Sequence, residues 1–331
     1  MSASCLICGN PTETVSPSYP GFQAPTTFQI HSCPHCDVSF SLPRVDASEV
    51  YNNIYRNAAS IPGYSRYWQF MSEIKASKDP LEYLSKAEDV YWGVATAIAK
   101  LGLDKTKAKC LEIGSGLGYT TFAFASAGYD IKGLDLSTVA VENATRMFGD
   151  HYVSGDLFDY SKRNPHQFDV VVLTEVLEHV DDPLAFLEAI KLLLKPSGKL
   201  VLTTPNKSFF PRKVVWVSTP PPVHCYWFSE KTMGWLADKL QASVDFVDFS
   251  AYHGEGRDIN IATPLDYVMM GPILDEKGEL VSSRKLKNLV RKIPFAMSLY
   301  RRLTHGTQTK ELLRCGKRCP AMCAVLTMAK A

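Results

Sequence analysis

From Lys109 onward the chain alternates short apolar runs with stretches of helical period. KCLEI, YDIKGLDL, FDVVVLTE and GKLVLTTP have the length and β-branched content of strands, and the segments after Gly118, Ser137 and Pro183 read as helices. SEKTMGWLADKL at 229–240 adds a helix, SVDFVDFSAY at 243–252 a strand, and AMCAVLTMAKA a closing strand. Apolar strands separated by helices belong in a parallel sheet covered on both faces. The expectation is an α/β, Rossmann-like, doubly wound core over 106–250, with 319–331 returning as its final strand. Roughly seventy residues separate the last two strands, far more than an ordinary loop, so 251–318 reads as a helical insertion.

The first of these strands runs into LEIGSGLGYTTFAFASAGYDIKGLDLS (111–137), where Gly114, Gly116 and Gly118 fall within five residues. Such glycines let the backbone turn sharply after a strand and bring N–H groups close to a ligand. A dinucleotide site would read G-x-G-x-x-G, with the pyrophosphate on the helix N-terminus. Here Tyr119 stands where the third glycine would fall. Glu112, just before the loop, disfavours a pyrophosphate and favours a cationic ligand. Asp135, at the end of the next strand, can accept both hydroxyls of a ribose.

At these residues the sequence resembles the class I S-adenosylmethionine (SAM)-dependent methyltransferases. LEIGSGLG is similar to their first motif, GLDLS to the acidic end of their second strand, and GDLFD, with Asp156, to the segment that meets the adenine. FDVVVLTEVLEHVDDP resembles their fourth-strand motif and LKPSGKLVLTTPN the turn into the fifth strand. The resemblance implies a seven-stranded sheet with the last strand antiparallel. It also implies SAM as cofactor, held by Glu112, Gly114, Gly116, Gly118, Asp135, Leu136, Asp156, Leu157 and Glu175.

Residues 1–45 show no helical period. CLIC supplies Cys5 and Cys8, and CPHC supplies Cys33 and Cys36. Two C-x-x-C knuckles let four thiolates converge on one structural zinc. A segment this poor in core residues needs such a staple, and His31 and His35 read as bystanders. HSCPHCDVSFSLPR…YNNIY resembles the zinc-ribbon head of bacterial methyltransferases of sugar and cell-surface glycan pathways. That resemblance implies a sugar, nucleotide-sugar or glycan acceptor. Similar sugar C-methyltransferases have a longer C-terminal part, so O-methylation is expected. Residues 46–105 are helical in pattern and rich in aromatics, among them Tyr51, Tyr64, Tyr67, Trp68 and Tyr91, and read as a helical linker or lid.

A hydroxyl acceptor needs a base, because its own pKa lies far above neutrality. TEVLEHV places Glu175, Glu178 and His179 at i, i+3 and i+4 of an expected helix start, on one face. His224, in PPPVHCYWFSE, precedes a helix after the fifth strand and can reach the same pocket. In one reading His224 is the general base, with His179 as helper or second candidate. In another, Glu175, Glu178, His179 and His224 bind Mg²⁺ or Mn²⁺, an arrangement similar to the metal site of small-RNA 2′-O-methyltransferases. In a third, EVLEH merely caps the helix and packs the cofactor. Tyr226, Trp227 and Phe228 are candidates for core or for stacking on a sugar ring. Cys315, Cys319 and Cys323 read as small buried residues.

Composition limits the partners. Of 331 residues 46% are hydrophobic and 21% charged, and no apolar run is long enough for a membrane span. No signal-peptide pattern opens the chain, and an odd nine cysteines with metal-ligand spacing favour a reducing, cytoplasmic setting. Net charge is +2, yet 284–318 holds eleven Lys/Arg against Glu311 alone. That basic segment suits a solvated face, or the phosphates of an anionic substrate or a membrane surface. No nucleic-acid module accompanies it, which argues against RNA. The sequence thus reads as a SAM-dependent O-methyltransferase of a sugar-type hydroxyl. The rival enzyme readings are a quinone, phenol or RNA methyltransferase. The rival outside enzymes is a zinc-ribbon binding module with a vestigial SAM domain.

Overall fold

The computed structural model describes residues 3–58, 60–61, 63–210, 219–254, 262–264, 271–281, 310–312 and 316–329. Near the N-terminus β1 (Glu13–Pro20), β2 (Thr27–Ser32) and β3 (Ser39–Leu42) form an antiparallel sheet. The expectation that this segment lacks a core is corrected. Tyr19, Phe22, Phe28, Ile30, Val38 and Phe40 are all buried. Their period-2 spacing is broken by shifts of register between β1 and β2, which hides the apolar face from a search for regular alternation.

The main sheet has seven strands: β4 (Lys109–Ile113), β5 (Asp130–Asp135), β6 (Tyr152–Ser154), β7 (Phe168–Thr174), β8 (Leu194–Pro205), β10 (Ala242–Phe246) and β13 (Ala321–Met328). Their order is β10-β13-β8-β7-β4-β5-β6, and β13 alone runs against its neighbours. This is the expected doubly wound Rossmann-like architecture with an antiparallel last strand. β7 lies in the middle, and Val170 to Leu173 are wholly buried, as a strand covered on both faces requires.

Ten helices are described: α1 (Ser48–Asn57), α2 (Ser65–Glu73), α3 (Pro80–Ala87), α4 (Asp89–Lys100), α5 (Tyr119–Ser126), α6 (Thr138–Phe148), α7 (Leu157–Arg163), α8 (Pro183–Leu193), α9 (Glu230–Lys239) and α10 (Ser250–Gly254). On one face Val94, Ala97 and Ile98 of α4 pack on Val170, Val172 and Val201. On the other, Leu187 and Ile190 of α8 and Met233 and Leu236 of α9 cover Leu111, Val171 and Leu200. Each of these valine, leucine, isoleucine and methionine side chains contributes about 1.5–3 kcal/mol by its burial.

The expected strand at 243–252 ends at Phe246, and Ser250 begins a short helix. Asp248 sets that boundary, because its carboxylate accepts from the backbone N–H of Ser250 at 2.9 Å, a helix-entry bond rather than a ladder bond. Within the expected insertion, β11 (Ala262–Pro264) pairs with β12 (Lys310–Leu312), and 271–281 places Leu274 beside Phe22 and Val223. Most of the basic run 284–318 lies outside the described residues. Among the described residues no helix is long and apolar enough to cross a membrane. Tyr226–Trp227 (β9) joins the N-terminal sheet as its fourth strand beside β3.

Candidate active site

The site is built at the carboxyl ends of β4, β5 and β7, where α/β sheets bind ligands. β4 and β7 are parallel neighbours with Ile113 opposite Leu173, so the loops that follow them meet. Gly114 leaves β4 against Val176, where a Cβ would stand 2.5 Å from the valine Cγ2. Gly116 has φ 48° and open space where a Cβ would project, leaving bare backbone facing outward. Gly118, at φ 83°, is forced: a Cβ there would meet Ala144 at 2.6 Å and the Tyr152 ring at 2.9 Å.

Asp135 closes the loop. One carboxylate oxygen accepts from Gly116 N–H at 2.7 Å and the other from Ser137 N–H at 2.8 Å. Beyond it Leu136 is 75% exposed. Leu157 is buried, and Asp156 caps α7 by accepting from Asp159 N–H at 3.1 Å. Glu112 lies beneath the loop, buried, and accepts from the Thr121 hydroxyl. Burial pushes its carboxyl up to about 8, the Thr121 bond only partly opposing this.

After β7 the chain departs from the expected helix. Glu175 takes φ 54°, Leu177–His179 form a single 3-10 turn, and α8 begins only at Pro183. Asp182 caps α8 by accepting from Ala185 N–H, and Pro183 occupies its first turn, so the D-D-P run rather than the T-E run starts the helix. Glu178 is fully buried, and one carboxylate oxygen accepts from the Thr204 hydroxyl at 2.9 Å. The buried atoms Thr174 Oγ1, Glu175 Oε1, Glu178 Oε1 and His224 Nδ1 have no hydrogen-bond partner. Such orphaned polar atoms at a sheet's carboxyl end suit a polar ligand. Burial raises the pKa of Glu175 and Glu178, and the charge of Glu178 adds to the shift at Glu175.

The two histidines meet edge to face, ring centroids 4.7 Å apart. His179 Nδ1 lies 2.7 Å from the Val223 carbonyl, which can only accept, so Nδ1 carries a proton. In the neutral ring the lone pair is then on Nε2, 3.9 Å from Glu178 Oε1. The Tyr51 hydroxyl of α1 also approaches Nδ1, at 3.1 Å. His224 is buried, and burial, followed by the charge of His179, holds its pKa well below the usual histidine range. Glu178, His179 and His224 each present a ligand atom, all within 4.8 Å of one another. Glu175 does not join that group, so the expected four-residue cation set narrows to three. Tyr226, Trp227 and Phe228 are all buried, so none of them offers a stacking surface to a sugar.

A polar group that no sequence motif announces lies beside the loop. Arg66 of α2 pairs with Glu88, bonds the Gly63 carbonyl at 2.6 Å and the Tyr67 hydroxyl at 2.9 Å, and leans on the Tyr67 ring. Burial pushes Glu88 up to about 7, with Arg66 partly opposing this. Beside them Tyr91 and Tyr119 share a hydroxyl contact of 2.6 Å, and Tyr119 opens the helix that leaves the glycine loop. The dense aromatics of 64–92 are the one signal in the sequence for this group.

Cys5, Cys8, Cys33 and Cys36 all lie within 4.8 Å of one another. The contacts Cys5–Cys36 and Cys8–Cys33 are 3.6 and 3.5 Å between sulfurs. A zinc bound tetrahedrally by four thiolates sets its sulfurs about 3.8 Å apart, so the residues fit that ion. His31 lies away from them, bonded to Thr12 and Gln29, as a bystander would be. Cys319 and Cys323 are buried, and Cys315 lies outside the described residues.

The sheet order, the glycine loop and the acid after β5 define a class I SAM-dependent methyltransferase fold. Residues 87–245 match the family described as Methyltransferase domain. The chain is similar to the ubiquinone biosynthesis O-methyltransferase of Haemophilus ducreyi, 37% identical over 109 residues, 30% of this chain and 46% of that protein. It is also similar to the enzyme of that name from Vibrio atlanticus, 29% identical over 157 residues, 44% of this chain and 59% of that protein. The chain thus spans about half the length of these curated relatives. Among solved structures, a SAM-dependent methyltransferase from Archaeoglobus fulgidus covers 79% of this chain and 99% of its own, with TM-score 0.45 and 16% identity.

Proposed function

We propose that the chain is a SAM-dependent methyltransferase acting on a hydroxyl of a small molecule. The observation that carries this reading is the contact between the glycine loop and the β7 loop at Gly114 and Val176, which sets the Asp135-closed cradle beside Glu178, His179 and His224. SAM supplies, when bound, a methyl group on a sulfonium sulfur. Asp135, Leu136, the backbone of Gly114–Gly118 and Glu175 hold and orient that cofactor. His179 and His224 take up the acceptor's proton, with His179 Nε2 freed for the task by the Val223 carbonyl and His224 kept neutral by burial. Cys5, Cys8, Cys33 and Cys36 hold a structural zinc.

For the acceptor, the named relatives favour a quinone-type or phenolic hydroxyl over the sugar hydroxyl that the ribbon suggests. A phenol, with pKa near 10, also needs less help from a histidine than an alcohol does. The test is product mass spectrometry with SAM and two acceptor panels, phenolic quinone precursors and nucleotide sugars. A gain of one methyl on the first panel supports this reading. A gain on sugars alone restores the ribbon's suggestion, and none on either removes the proposal.

A second reading has a specific observation behind it. Glu178 Oε1 and His224 Nδ1 are buried without partners, and Glu178, His179 and His224 each bring a ligand atom within 4.8 Å of the others, a set of two imidazoles and a carboxylate that suits a divalent transition metal such as Mn²⁺ better than the oxygen-seeking Mg²⁺. Loss of turnover on chelation at intact ribbon zinc, with recovery on added Mg²⁺ or Mn²⁺, would favour it over the base.

A further inference from the structure

The loop that carries the second histidine is held from two sides. Toward the site, Cys225 N–H bonds the Glu178 carbonyl at 2.8 Å, and the Val223 carbonyl accepts from His179 at 2.7 Å. Toward the N-terminal sheet, the Pro221 carbonyl accepts from Phe22 N–H at 2.7 Å and the Cys225 carbonyl from Ser41 N–H at 3.0 Å. The ladder then continues with Phe40 opposite Tyr226 and Ser39 opposite Trp227. Five consecutive residues therefore bridge the acceptor end of the site and the ribbon.

The ribbon's metal knuckle is tied to the same stretch. Cys33 to Val38 close on themselves through Asp37 N–H to the Cys33 carbonyl and Cys33 N–H to the Val38 carbonyl, both 2.8 Å. The ammonium of Lys207, largely buried, reaches into this turn. It bonds the Asp37 carbonyl at 2.7 Å, the Asp37 carboxylate at 2.9 Å and Ser32 Oγ at 3.2 Å. The backbone N–H of Lys207 bonds the Phe228 carbonyl at 2.9 Å, just past β9. Thr232, in the capping box of α9, donates its hydroxyl to the Cys36 carbonyl at 2.9 Å. The carbonyls of Cys36 and Asp37 are thus fixed to the segment that follows His224. Aromatic packing reinforces this, with Phe40 against Tyr226 and Tyr226 stacked on Phe228.

We infer that the four-thiolate ribbon is a positioning element of the methyl-transfer site, acting through Lys207 and β9 on Val223 and His224. Neither Lys207 nor the thiolates touch the reacting atoms. Their work is to fix the Val223 carbonyl that sets the His179 tautomer and to hold His224 beside that ring. With the knuckle empty, its turn loses the closure that presents the Asp37 and Cys36 carbonyls, and 221–226 keeps only its bonds to the site side. Cofactor binding draws chiefly on β4, β5 and the loops after them, and none of the hydrogen bonds that tie the knuckle to Lys207, Phe228 and Thr232 runs to those loops, so it survives. The inference rests on the histidine pair being the acceptor end of the site.

Hydrogen exchange of 221–226, read at the amides of Val223, His224, Cys225 and Tyr226, is the primary readout, because it needs no acceptor. Lys207→Met keeps all four thiols. It should keep one equivalent of zinc and leave SAM affinity and the exchange of 109–113 unchanged, while exchange in 221–226 rises about tenfold. With a turned-over acceptor, kcat should fall about tenfold at similar KM, and Lys207→Arg should recover most of the loss. Zinc removal from the wild type by chelation, with the protein repurified before assay, should give the same pattern more strongly. Cys33→Ser repeats it where that variant folds. Faster exchange confined to 3–45, with 221–226 and kcat untouched, overturns the inference, as does wild-type protein that holds no metal. If no acceptor is methylated, the functional reading fails by itself and the exchange arm still decides the coupling.

Discussion

Glu112 makes the unliganded protein less stable as pH rises, and Glu112→Gln should remove that dependence. The carboxyl is buried, accepts from the Thr121 hydroxyl, also faces the Thr120 hydroxyl, and has no ion-pair partner among the described residues. Its pKa is about 8 in the folded protein against an ordinary 4.5. Between those values the unfolded chain has released the proton and the folded chain still holds it. The folded state therefore binds more protons, and stability falls with rising pH. The contribution is fully present below about 4.5 and is gone once pH passes about 8. A displacement of that size corresponds to about 5 kcal/mol over the whole window and about 3 kcal/mol between pH 5.5 and 8. Glutamine is nearly isosteric, can still accept from Thr121, and does not ionise. Urea unfolding of both proteins at the two pH values gives the double difference, in which the buried acids Glu88, Glu175 and Glu178 cancel. Glu112→Gln should lose most of the 3 kcal/mol fall, roughly, and be the more stable protein at pH 8. Equal pH dependence in both would mean that Glu112 is ionised and paired when folded, and the reasoning from burial would be wrong.

Other outcomes follow from the same geometry. Gly118→Ala should lower the melting temperature, by about 1–3 kcal/mol of stability, because the new methyl meets Ala144 and Tyr152 at a left-handed backbone position. Metal analysis should find one zinc per chain, and Cys33→Ser should lose it together with the protection of 3–45 from proteolysis. His179→Ala and His224→Ala should each cut turnover by about 10²–10⁴-fold with SAM affinity nearly unchanged in calorimetry. Because burial keeps His224 neutral across the working range, the pH–rate profile should show no His224 limb between about pH 6 and 8.

Much of the fold is legible in the sequence because its signals are local. KCLEI, YDIKGLDL, FDVVVLTE and GKLVLTTP become β4, β5, β7 and β8 because a parallel sheet buries both faces of each strand. The glycine loop was legible for a similar reason, since few backbones need three glycines in five residues. What escaped depends on contacts between distant segments. No pattern around Glu175 announces a left-handed residue and a 3-10 turn, which arise where the β4 and β7 loops press together at Gly114 and Val176. Arg66 and Glu88 are ordinary charged residues until the fold buries them side by side. Tyr226 and Trp227 look like a loop before a helix, and become a strand only because β3 lies alongside. The apolar face of the ribbon was missed because irregular pairing breaks its alternation.

The claim beneath all of this is that Asp135 and the glycine loop bind SAM. Calorimetric titration of SAM into the wild type and into Asp135→Ala tests it most directly. The carboxylate bonds Gly116 and Ser137 N–H, and in the proposed complex it also grips the ribose hydroxyls. The wild type should show one site of micromolar affinity. In the variant binding should weaken by about 2 kcal/mol, roughly thirtyfold, with the fold intact. No binding by the wild type, or equal affinity in both proteins, would contradict it.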